Sequence, residues 1–142
     1  AESIHRAALR RAALRMIPEL QQQLIAQGIA AAILEPGERM LALTGVRWGR
    51  SERPFVLVVP AHGEPAWILP SFEEGRAREI LAPNAHLYLW HEDQSPYQRI
   101  RQALTDRSVS SGRLAIDPAC RFFLFDGLRQ AAPHFSYIAL SA

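Results

Sequence analysis

The sequence predicts an α/β domain: a mixed β-sheet flanked by helices. Three observations carry that expectation. Short β-prone apolar runs are separated by segments whose apolar residues recur every three or four positions, the repeat of a helical face. Two of the runs, Phe55 to Val59 and Ala66 to Leu69, flank the turn-forming Ala61-His62-Gly63-Glu64 and read as an antiparallel hairpin. Beyond the hairpin, helical and strand-like segments alternate one for one, which places helices on the faces of a sheet.

From Glu2 to Gln27, Leu9, Ala13, Ile17, Leu20 and Leu24 form one apolar helical face. Pro18 interrupts it, and because proline suits a first helical turn, a kink or second start falls near Ile17, with residues 1–17 as a helical extension. Gly28 closes the helix. Ile29 to Leu34 is wholly apolar, as befits a strand buried on both faces, and Glu35-Pro36-Gly37 turns the chain. Glu38 to Leu43 has room for one helical turn, after which Arg47 to Arg53 is polar, basic and aperiodic: an exposed loop.

After the hairpin, Ser71 with Glu74 three residues on forms a capping-box pattern, predicting a helix from Phe72 to Leu81. Pro83-Asn84 turns the chain into a strand over His86 to Trp90. Ser95-Pro96 with Gln98 caps a helix bearing Tyr97, Ile100 and Leu104. Arg113 to Ile116 reads as a strand, Asp117-Pro118 as cap and first helical residue, Ala119 to Gln130 as helix, and Phe135 to Leu140 as the last strand. No repeat or low-complexity linker divides the 142 residues, so one domain is expected.

Composition excludes several classes of function. An apolar fraction of 49% with 21% charged residues is that of a folding globular chain, not a disordered one. Sixteen Lys+Arg against fourteen Asp+Glu leave a formal charge of +2, too little for a nucleic-acid-binding balance despite a pI near 9.2. All sixteen cations are arginines, so lysine-based Schiff-base and P-loop chemistry is absent. No apolar run approaches a membrane span, and the N-terminal stretch is studded with Arg6, Arg10, Arg11 and Arg15. The single cysteine, Cys120, excludes an intrachain disulfide and suits a reducing compartment; a cytoplasmic location is expected.

Candidate chemistry is sparse. The five histidines fall in five different segments without the i, i+4 pairing of helical zinc sites. His91-Glu92-Asp93, just after a strand, is the densest cluster of possible ligands or bases, although a solvated strand-to-helix loop has the same composition. Glu73-Glu74 point about 100° apart on a helix, and Glu74 has a capping role. There is no Gly-x-Ser-x-Gly elbow, no glycine-rich phosphate loop, and Cys120 packs as a small apolar residue. Arg47, Trp48, Arg50 and Arg53 differ: three arginines around an aromatic in a polar loop suit a carboxylate, a phosphate or a partner surface.

Taken in order, several blocks resemble the N-terminal domain shared by prolidases, aminopeptidase P and creatinase, from about Pro18 onward. They are Gly28 to Leu34, Leu43-Thr44-Gly45, Arg53 to Pro60 with Gly63-Glu64-Pro65, Pro70 to Ala77, Trp90 to Asp93, and Gly112 to Asp117. The chain departs from the pattern at Glu38 to Ala42 and in its N-terminal helical turns. The resemblance implies a ribonuclease-H-like topology and a non-catalytic role in an Xaa-Pro dipeptidase or aminopeptidase. A pita-bread catalytic domain, absent from this chain, would carry the dinuclear manganese or cobalt (or zinc) centre; no cofactor is expected here. The implied partners are that catalytic domain, further copies of the enzyme, and a peptide with proline second; neither nucleic acid nor membrane is expected. The domain would aid oligomerisation, and the loop of Arg47, Trp48, Arg50 and Arg53 would border substrate access.

Two other readings compete. One is a free-standing binding or regulatory domain of the same topology. The other is an independent hydrolase, whose members would come from His91, Glu92, Asp93 and Cys120.

Overall fold

The computed structural model describes residues 3–5, 7–8 and 16–141. The predicted helix from Glu2 therefore lies partly outside the described residues. What is described as α1, Met16–Gln27, has Pro18 in its first turn, where a missing amide costs no hydrogen bond, and ends at Gly28 with φ 68°.

Next come β1 (Ala31–Leu34), α2 (Glu38–Thr44), β2 (Val56–Pro60) and β3 (Ala66–Pro70). A 3₁₀ turn over Ser71–Glu73 leads into α3 (Glu74–Ile80) and β4 (His86–Trp90). They are followed by α4 (Pro96–Asp106), β5 (Arg113–Ile116), α5 (Phe122–Ala131) and β6 (Ser136–Ala139). The strands form one sheet in the order β4-β3-β2-β1-β5-β6. β2 pairs antiparallel with β1 and β3, while the β1–β5, β3–β4 and β5–β6 pairs are parallel, so β2 alone runs against the rest. This is the mixed sheet that the alternation of elements predicts.

Helices cover both faces because the central strands alternate between two cores. Ala32 and Leu34 of β1, with Leu57 and Val59 of β2, pack with Leu20 and Leu24 of α1 and Met40 and Leu43 of α2. Ala31 and Ile33, with Val56 and Val58, pack with Ile100 and Leu104 of α4 and Leu124 and Leu128 of α5. At about 25 cal/mol per Å² of apolar surface, the Leu, Ile, Val and Met side chains among them contribute roughly 1.5–3 kcal/mol each when fully buried. No helix among the described residues is long and apolar enough to cross a membrane.

Two helix starts differ from expectation. The Ser71/Glu74 capping box does not form: α3 begins at Glu74 without a side-chain cap, because the Ser71 hydroxyl bonds to His91 Nδ1 at 3.0 Å. Likewise α5 begins at Phe122, not Ala119. Asp117 Oδ1 accepts from the Ala119 amide at 3.2 Å and closes a local turn, while the Arg121 amide just before α5 donates to Glu35 at 2.8 Å. The Ser95 cap forms as predicted, accepting from the Gln98 amide at 3.2 Å with Pro96 opening α4.

Candidate functional site

Since every strand but β2 points the same way, the carboxyl ends of β1, β3, β4, β5 and β6 gather along one edge of the sheet. The reversed β2 brings its amino-terminal approach, Arg53 to Phe55, to that edge as well. The Arg47–Arg53 loop and the His91–Asp93 cluster, far apart in sequence, thereby become neighbours: Arg53 Nε donates to Glu92 Oε1 at 2.7 Å. That hydrogen bond holds the Arg53 guanidinium above its ordinary pKa. The Pro70–Trp90 register between β3 and β4 sets Ser71 beside His91, and the Trp90 indole donates to the Pro54 carbonyl at 3.2 Å.

Behind the loop lies a buried charge. Glu35 is 0% exposed, and Arg121 Nη2 donates to its Oε1 at 2.7 Å. The bond raises the Arg121 pKa, and Arg121 also donates to the Ser51 carbonyl at 2.8 Å, pinning the loop. Arg50 adds two more ties, from Nε to the Pro36 carbonyl at 2.7 Å and from Nη2 to the Ala119 carbonyl at 2.8 Å. Asp117 is 4% exposed, with Arg39 Nε 3.7 Å from its Oδ1, and Arg39 in turn reaches the Ser141 carbonyl at 2.8 Å. Cys120 is half-buried nearby, and burial pushes its thiol up to about 12, which leaves it protonated and unreactive at neutral pH.

Between the loop and α3 opens a cleft of about 350 Å³ lined by Trp48, Arg50, Arg53, Phe55, Phe72 and Arg76 among others. Trp48 is half-buried, stacked on Phe55 at 4.3 Å with the Arg76 guanidinium over its ring at 4.5 Å. Arg53 lies 5.4 Å from the centre of the Phe72 ring, and Phe72 itself is 64% exposed.

Residues 16–142 match the creatinase/prolidase N-terminal domain. The chain belongs to that family. It is 35% identical over 115 residues to an uncharacterized peptidase of Schizosaccharomyces pombe, a match covering 71% of this chain and 24% of that protein. Among solved structures, a dipeptidase of Pyrococcus horikoshii is similar with a TM-score of 0.76 and 27% identity over 88% of this chain and 34% of its own. A prolidase of Thermococcus sibiricus is similar with a TM-score of 0.77 and 25% identity over 89% of this chain and 34% of its own. The chain thus spans about a quarter of the curated relative and about a third of these two enzymes.

In this creatinase/prolidase N-terminal domain, the predicted loop residues divide. Arg47 is exposed, Trp48 is packed, Arg50 is tied to backbone carbonyls, and Arg53 is ion-paired. Of the second cluster, Glu92 bonds Arg53, His91 bonds Ser71, and Asp93 stays exposed. The Ser71–His91 pair has the look of a nucleophile and its base, but the neighbouring carboxylate of Glu92 is turned to Arg53 and gives His91 no orienting bond. Among the described residues no group of three or more His, Cys, Asp or Glu is placed to hold a metal ion, so the dinuclear centre implied by the resemblance finds no ligand set in them. Sequence reasoning missed Glu35, Phe72, Arg76 and Arg121. Phe72 carried a signal, an aromatic beside acidic residues at a helix start; Glu35 in Glu-Pro-Gly looked like any turn residue.

Proposed function

We propose that this domain is the non-catalytic N-terminal part of an Xaa-Pro-cleaving dipeptidase or aminopeptidase. In this reading the dinuclear-metal chemistry belongs to a C-terminal catalytic domain of a longer protein. The N-terminal domain contributes to assembly and borders the substrate route with its carboxyl edge. The observation that carries the reading is the match of residues 16–142 to the family domain, at about one third of the length of the dipeptidase and prolidase it resembles. The exposed cationic and aromatic side chains along one edge support the access role, because such groups recur where proteins meet partners or substrates. A cytoplasmic location fits its one cysteine.

The test compares Ala-Pro cleavage with Mn²⁺ by this chain, by the longer protein, and by the longer protein carrying Trp48→Ala. Turnover is expected only from the longer forms. The substitution should alter KM or turnover while circular dichroism shows a retained fold. Metal-dependent cleavage by residues 1–142 alone would overturn the non-catalytic role, and unchanged kinetics in Trp48→Ala would remove the loop from the substrate route.

A further inference from the structure

The two edges of the sheet are finished differently. At β4 an arginine of α4 covers the edge, Arg99 Nε donating to the Leu89 carbonyl at 2.9 Å. At the opposite edge β6 has only β5 beside it. The Ser136 amide donates to the Gly112 carbonyl at 3.0 Å and the Leu140 amide to the Ile116 carbonyl at 2.7 Å, so Ser136, Ile138 and Leu140 turn their main-chain groups toward β5. Hydrogen-bonding direction alternates along a strand, and Tyr137 and Ala139 therefore point their amides and carbonyls away from the sheet. Among the described residues nothing pairs with these four groups. The strand Ser-Tyr-Ile-Ala carries neither a charge nor a proline, two of the devices that blunt an edge; only its shortness limits it.

A groove of about 370 Å³ lies between this edge and α5. Its wall is a row of rings: Phe125 meets Tyr137 edge-on at 5.5 Å, and Phe122 lies 6.3 Å from Phe125. Phe122 is 72% exposed, and Ala139 puts no more than a methyl group beside it.

That combination sets the occupant. Two donors and two acceptors at the two-residue repeat of a strand are matched by extended backbone, and every second side chain of that backbone falls on the side of α5, where the rings favour a bulky apolar residue. A folded partner is not supplied with enough surface. Four residues span about 13 Å, and so short an edge with one open ring falls well below the roughly 800 Å² per partner of a stable interface. A second copy would meet the same shortfall.

We propose that β6 accepts an extended apolar segment of a partner protein as a seventh strand, with one bulky side chain seated against Phe122, Phe125 and Tyr137. The assignment goes beyond the peptidase reading and does not depend on it.

The experiment records ¹H–¹⁵N spectra of this chain during titration with the capped peptide acetyl-Thr-Val-Phe-Val-Thr amide. The Tyr137 and Ala139 amides are expected to shift saturably, with a Kd of about 1 mM, the range for a few main-chain bonds and one buried side chain. The Ile138 amide, already turned toward β5, should move little and serves as the internal reference. N-methylation of every peptide residue, or replacement of the phenylalanine by serine, should each weaken binding about ten-fold or more. Ala139→Pro, which removes an outward amide and no ladder bond, should abolish the response. Equal affinity for the N-methylated peptide, or no saturable shift at Tyr137 and Ala139, would overturn the proposal. So would movement of these two signals with protein concentration alone, which would mean pairing with a second copy, or their protection from hydrogen exchange in the longer protein without peptide, which would mean that its own residues cover the edge. The peptide comparison needs no variant and stands even if Ala139→Pro folds poorly.

Discussion

Glu35 is fully buried, and a carboxylate in such a place persists only when it is paired and hydrogen-bonded. Arg121 supplies both, through its amide at 2.8 Å and its guanidinium at 2.7 Å. Removing the cation therefore costs more than the pair contributes, because the uncompensated charge stays behind. Arg121→Ala is expected to destabilise the domain by about 3 kcal/mol, toward the lower end for a broken buried pair, since the Arg121 side chain is 33% exposed and water can partly replace it. Adding Glu35→Ala should cost less than the sum of the two single changes. Urea denaturation of the three variants measures this; a loss under about 1 kcal/mol for Arg121→Ala would mean that Glu35 rehydrates freely. The same pair explains why the Trp48 loop, polar and aperiodic in sequence, has a defined shape: Arg121 also holds the Ser51 carbonyl.

At the scale of elements, α4 and α5 cross so closely that only glycine fits at position 127. A Cβ built there would lie 2.3 Å from the ring of Tyr97. On propensity alone Gly127→Ala should stabilise α5 by about 1 kcal/mol. Overpacking against the half-buried ring is expected to reverse the sign, for a net loss of about 1–3 kcal/mol. Thermal or chemical melting decides it, and a raised midpoint would show that the Tyr97 ring yields without cost. The helix caps divide along a similar line. Ser95 caps α4 through a residue three positions away, and that cap was readable. Ser71 was equally readable as a cap, yet its hydroxyl is captured by His91 from the next strand. The amide that opens α5 is satisfied by Glu35, 86 residues distant, which no local pattern announces.

At the scale of the whole molecule, the exposed aromatics Phe72, Phe122 and Phe123 all follow carboxyl ends of strands, so the exposed aromatic surface among the described residues is collected along the edge that also carries the cleft. With these rings 64%, 72% and 39% exposed, they can bury only about 250–450 Å² per partner, against roughly 800 Å² per partner in a stable interface. The isolated chain is therefore expected to sediment as a monomer at micromolar concentration, and assembly of the proposed longer enzyme would need surface beyond this domain; a dimer with nanomolar dissociation would contradict this division. The sequence by itself determined the α/β class, the hairpin, the strands His86–Trp90 and Arg113–Ile116 and the family resemblance, because these depend on short-range periodicity and on the order of local blocks. Tertiary structure alone decided that the Arg47–Arg53 loop and His91–Asp93 share one edge, that Trp48 is packed rather than open, and that Glu35 is a buried ionic partner. Those outcomes follow from strand direction and from contacts dozens of residues apart, which fix distance and burial but leave no period in the chain.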